Sequence, residues 1–421
     1  MNMVPINATR HSNTLSAHFF GLMWFVNLCS PYINIALNRP DVPSLLYASV
    51  MGGMVICLMG HRRGIVLRIS RLGLVGGVYL LYTVFYALAF GTRQESWGFL
   101  VQGGSVLLAM VVFGHPREYR IIFTWLTIGM AGFGAFLIWQ SITGYKPPWL
   151  MVRNFLHDVG GYIRGGEGFG EKNYSAALLT AGFVFAWTMA VYKQMPRWCA
   201  YTALVGCSVG VLFTFSRGAF VAFGVILICY ALTSSRRFAK LLLVGGGLVP
   251  VAMYFMGDAL QLAIGRFSLS STQDVMQASS RLDQVAGAMD MLASSGSLLE
   301  LFFGRGPFVY VNTIIIHNIP LGILVEQGVL GLLLWIWMMF VTGQRCLAFL
   351  RNGFPYPLMA FAGFLVAGML IRIEVERNFW LLLLFVHGFS YLLPQSSKSQ
   401  PYTMRSRSHT CGYQSNAAYH A

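Results

Sequence analysis

Apolar residues along this chain come in long runs rather than in alternation with polar ones. Nearly uncharged stretches of about 15–24 residues recur from end to end, separated by short polar, glycine- or proline-containing breaks. A helix needs roughly 17–25 apolar residues to cross about 30 Å of hydrocarbon. The pattern therefore predicts twelve spans, at about 16–37, 44–60, 72–90, 98–113, 121–142, 174–192, 198–215, 218–233, 241–257, 318–341, 355–371 and 379–393. The run from Trp198 to Thr233 holds 36 residues and one formal charge, Arg217. As one helix it would measure roughly 54 Å, so it must break. Its only polar point is Ser216-Arg217-Gly218, and a glycine permits a tight reversal. The expectation is two short spans joined by a hairpin at the outer surface, with Arg217 recessed towards the bundle.

Two polar interruptions are long. Residues 143–173, TGYKPPWLMVRNFLHDVGGYIRGGEGFGEKN, form a first outer loop rich in glycine, and residues 258–317 form a larger one. In the larger loop Leu282, Val285, Met289 and Leu292 recur at helical spacing after Ser279-Ser280. They predict an amphipathic helix that lies on the membrane face or roofs a cavity. Arg281 opens this helix, and Asp283 and Asp290 share one of its sides. A glycine turn at Gly304-Arg305-Gly306 then leads into the tenth span, with His317-Asn318 at its mouth and Glu326 further in. Residues 1–394 are thus expected to form a helical bundle, followed by a disordered tail over 395–421, rich in Ser, Thr and Arg.

Composition and charge sharpen the picture. Of 421 residues, 56% are hydrophobic and 10% charged, against roughly a quarter charged in ordinary soluble domains. With the N-terminus inside, the inner segments collect 17 basic residues and one acid, Glu118, whereas the outer segments balance. The net charge of +15 therefore reads as a positive-inside signal, with no nucleic-acid binding implied. Both termini are expected in the cytoplasm, and the first apolar run is expected to be a retained span rather than a cleaved signal. None of the seven cysteines falls in an outer loop, so no disulfide framework is expected.

Candidate chemistry concentrates on the outer side. An arginine within a membrane bundle is costly and points to an anion; the plainer alternative is an arginine snorkelling to headgroups. Glu326 has a functional reading as an intramembrane carboxylate and a structural one as a neutral group bonded between helices. No Walker loop or HExxH is present, and Gly165-Gly166-Glu167-Gly168 lacks a phosphate-binding context. Asp283 and Asp290 read as solvated helix charges rather than metal ligands, and neither a metal nor another cofactor is expected.

Taken in order, Arg164 with Gly168 to Asn173, the hairpin Ser216-Arg217-Gly218-Ala219, the long outer loop, and His317-Asn318 followed by Glu326-x-Gly328-x-x-Gly331 resemble the O-antigen ligase and polymerase family. These are integral membrane enzymes acting on undecaprenyl-diphosphate-linked glycans. The resemblance implies an all-α, GT-C-like polytopic fold in a bacterial inner membrane, with its active site on the periplasmic face. It implies that Arg217 and Arg281, and more weakly Arg164, hold the donor diphosphate while His317 serves the acceptor hydroxyl; Asn318, Glu326, Arg305 and Asn173 are supporting candidates. Lys172 departs from the family's usual neutral residue before Asn173. The implied reaction is an inverting transfer of glycan to lipid A–core; the alternatives are a polymerase that extends a lipid-linked repeat and a transporter of lipid-linked sugars.

Overall fold

A computed structural model describes residues 13–37, 49–55, 69–90, 94–145, 158–159, 162–163, 172–214, 216–233, 236, 239, 283, 285–294, 296–306, 318–370 and 377–393. These residues are almost wholly helical, and the fold is that of an all-α helical membrane protein. In chain order the helices are α1 (Thr14–Leu28), α2 (Ser30–Leu37), α3 (49–55), α4 (Arg71–Phe90), α5 (Gln94–Val112), α6 (Pro116–Thr143), α7 (Lys172–Val191), α8 (Arg197–Phe213), α9 (Arg217–Ala231), α10 (285–293), α11 (Leu298–Phe303), α12 (Ile319–Arg351), α13 (Tyr356–Leu370) and α14 (Arg377–Leu392). The exception is a two-residue antiparallel pair, Asp158–Val159 with Tyr162–Ile163, inside the first long loop. Among the described residues two helices, α6 and α12, are long and apolar enough to cross a bilayer, and eight further apolar helices are shorter.

Local chemistry sets the helix ends. Glu118 closes a capping box with His115 ahead of α6. Its carboxylate also accepts from the backbone of Gly114 and His115, and reaches the Asn13 N–H at the start of α1. The sole acid among the predicted inner segments is thus a buried clamp between two helix starts. Gly144 ends α6 in the left-handed region, at φ 66°.

Side-chain contacts fix the helix directions. Tyr119 stacks on Tyr391, and Phe123 meets Phe385 and Phe185 while Gly182 closely approaches Met130, so α6 runs antiparallel to both α14 and α7. Phe183 meets Phe223 and Trp187 meets Tyr230, so α7 and α9 run parallel. Ser70 bonds His387 while Tyr79 meets Phe379, making α4 antiparallel to α14. The starts of α1, α4, α6 and α8 consequently share one end of the bundle, and those of α7, α9, α12 and α14 share the other. Glycine allows the closest approach: a Cβ on Gly134 would overlap the Gly206 carbonyl, where α6 and α8 touch backbone to backbone.

Three sequence expectations change. The first span is interrupted at Cys29, giving α1 and α2. The tenth, expected over 318–341, continues to Arg351, so Arg345 and Arg351 belong to a helix rather than to a loop. The helix of the large loop exists but docks on a different stripe: Ala288, Met291 and Leu292 pack against Leu321 and Val325, whereas Val285 and Met289 stay exposed. The predicted spans over 44–60 and 241–257 and the tail over 395–421 lie wholly or largely outside the described residues.

Candidate functional site

The reversal between α8 and α9 forms as a hairpin, but its chemistry differs from that expected. The turn lies before Arg217. The Thr214 hydroxyl donates to the Val211 carbonyl and accepts from the Ser216 N–H, at 2.7 and 3.3 Å. Ser216, buried, then caps α9 by accepting from the Ala219 N–H. Arg217 and Gly218 already belong to the first helical turn, and Gly218 does not use its conformational freedom. The aromatic contacts between α7 and α9 place Arg217 level with about residues 174–177, some two to five residues or roughly 3–7 Å below the start of α7. Its Nε and one Nη are shielded from solvent, so Arg217 is recessed as expected. A guanidinium in the first turn of a helix adds its charge to the positive end of the helix dipole, and together they favour an anion.

At the same end of the bundle Asn318 caps α12. Its side-chain oxygen accepts from the Leu321 N–H at 3.0 Å while its amide donates to the Met369 carbonyl at 3.2 Å. This ties the residue after His317 to the end of α13. Glu326 is 2% exposed and sits where α12 breaks: Gly328 is non-helical, at φ 69° and ψ −171°. The break removes regular partners from the carbonyls just before it, and a bilayer core offers no water to replace them. Other elements supply donors. The N–H groups of Arg305 and Gly306 reach the carbonyls of Val325 and Glu326 at 3.3 and 3.2 Å, and the Tyr82 hydroxyl donates to the Gln327 carbonyl at 2.6 Å. Gly304-Arg305-Gly306 is therefore a clasp on α12 rather than only a turn leading into it. Arg305 pairs with Glu300 at 3.5 Å and donates to Ser294 at 3.4 Å, which places its side chain in the clasp.

Arg217, Asn318, Glu326 and Arg305 thus gather towards one end of the bundle. The remaining candidates, Arg164, Arg281 and His317, lie outside the described residues, as does the side chain of Asn173, whose backbone sits in the first turn of α7. Sequence reasoning missed Tyr82 and Gln327 as partners in the break. The available signal was the paired glycines Gly328 and Gly331: a Cβ on Gly331 would crowd Gln327.

No protein-family model matches the chain, and no curated protein matches it significantly.

Proposed function

We propose that this protein is an inverting glycosyltransferase of the O-antigen ligase type, spanning a bacterial inner membrane twelve times with both termini in the cytoplasm. The observation that carries this reading is the recessed Arg217 at the start of α9, at the same end of the bundle as the Asn318 cap that follows His317. The donor is an undecaprenyl-diphosphate-linked glycan and the acceptor is lipid A–core. The acceptor hydroxyl attacks the sugar C1, the bond from C1 to the diphosphate oxygen breaks, and His317 takes the hydroxyl proton. Undecaprenyl diphosphate leaves with the bonding electrons, so negative charge grows on a group that is already anionic. Arginine suits that charge because its planar fork matches phosphate oxygens, and donors aimed at developing charge stabilise the transition state. Arg281, with Arg164, completes the clamp from the two loops.

The test uses purified protein with a short undecaprenyl-diphosphate-linked repeat, with and without lipid A–core, and neither ATP nor added metal. Glycan should appear on lipid A–core only when that acceptor is present. Multimers of the repeat that stay on undecaprenyl would make the protein a polymerase, and no new glycosidic bond under either condition would overturn transfer altogether.

A further inference from the structure

The segment over 285–306 carries a face that none of these roles uses. Every residue of α11 is at least partly solvent-accessible: Leu298, Leu299 and Phe302 are 76%, 69% and 53% exposed. Leaving apolar surface in water forgoes roughly 25 cal/mol per Å², so the position of α11 relative to the bilayer matters. It is clasped to Val325 and Glu326 through Arg305 and Gly306, while α10 packs on Leu321 and Val325. Val325 and Glu326 lie about seven residues, or roughly 10 Å, along α12 from its first residue. Asn318 marks that start, tied to the end of α13. With Ile319 at the bilayer surface, beneath a headgroup layer only about 5–7 Å thick per leaflet, that offset puts α11 at hydrocarbon depth.

Two further observations agree. Beyond the break α12 also carries an exposed apolar flank, through Leu330, Leu333, Ile336, Trp337 and Phe340. The polar groups of α11 and the clasp are also arranged for a dry setting, where backbone must bond internally. Ser297 caps α11, Gly304 N–H returns to the Glu300 carbonyl, the next two N–H groups go to α12, and Glu300 pairs with Arg305.

We infer that residues 285–306 form a re-entrant hairpin set into the leaflet at which α12 begins, with Leu298, Leu299 and Phe302 against lipid acyl chains. The inference rests on the bundle spanning a bilayer with Ile319 near its surface. It is tested in full-length protein in native membranes carrying p-benzoylphenylalanine at Leu299 or Phe302, with Leu333 and Asp290 as references. Irradiation followed by mass spectrometry should give phospholipid adducts at 299 and 302 in yields equal to those at 333, and lose them at 290, on the polar side of α10. Adducts at 333 but not at 299 or 302 would overturn the hairpin's placement. So would crosslinks from 299 and 302 to a second copy or another protein. Absence of adducts at 333 as well would instead remove the membrane-spanning reading beneath it.

Discussion

Gly304 and Gly328 face each other across the clasp, and each is held in a conformation that side chains resist. Their φ values are 78° and 69°, and an added Cβ would overlap the Glu326 carbonyl in one case and the Phe302 carbonyl in the other. Positive φ with ψ near 180°, as at both positions, is essentially glycine-only backbone and costs a residue with a Cβ about 1–3 kcal/mol, and the overlap adds to that. Gly328→Ala should therefore lower the unfolding midpoint in detergent and cut folded yield. Gly104→Ala, in α5 with nothing near its Cβ position, should be neutral or stabilise by up to about 1 kcal/mol. Equal behaviour of the two variants in thermal unfolding would contradict the clasp. The glycines were legible in the sequence as a motif, but not as a contact between two distant segments. Arg217 shows the opposite balance: its recess followed from the length of the apolar run, whereas the turn was assigned to Gly218 because a capping serine and a permissive glycine stood two residues apart. Ser216 prevailed because its oxygen can accept from the first turn of α9.

Among the elements, α12 departs most from its sequence pattern. Hydropathy marks it as one uninterrupted span because Gln327 and Gly328 are too few to lower the apolar average, yet its backbone is broken there. The break needs donors from elsewhere, and Tyr82 of α4 is one of them. Tyr82→Phe removes that hydroxyl and leaves a buried carbonyl short of a donor, which costs about 1–3 kcal/mol. The variant should unfold at lower temperature and exchange the amide protons around 325–331 faster. Unchanged exchange there would mean that Tyr82 does not support the break. The helix of the large loop was legible as a helix but not in its docking face. Exposed Val285 and Met289 belong to the sequence's apolar stripe, whereas Ala288, too small to dominate a hydropathy pattern, is fully buried against α12.

Across the whole molecule, alternating helix directions place Arg217, Asn318 and Glu326 towards one end and the Glu118 clamp at the other. The apolar helices were readable because long apolar runs have few other uses in a chain this poor in charge. That 217 and 318 share one end was not readable, since it depends on how α9, α12 and α13 pack. The account's central claim is that Arg217 holds the diphosphate of a lipid-linked donor, and direct binding tests it most closely. Wild-type protein, Arg217→Ala and His317→Ala, each shown to be folded, would be titrated with an undecaprenyl-diphosphate-linked repeat and assayed for transfer. The account predicts that Arg217→Ala loses donor binding and about 10²–10³ in transfer rate, the scale for removing one stabilising donor, while His317→Ala binds donor normally and transfers none. Full binding and transfer by Arg217→Ala would contradict it.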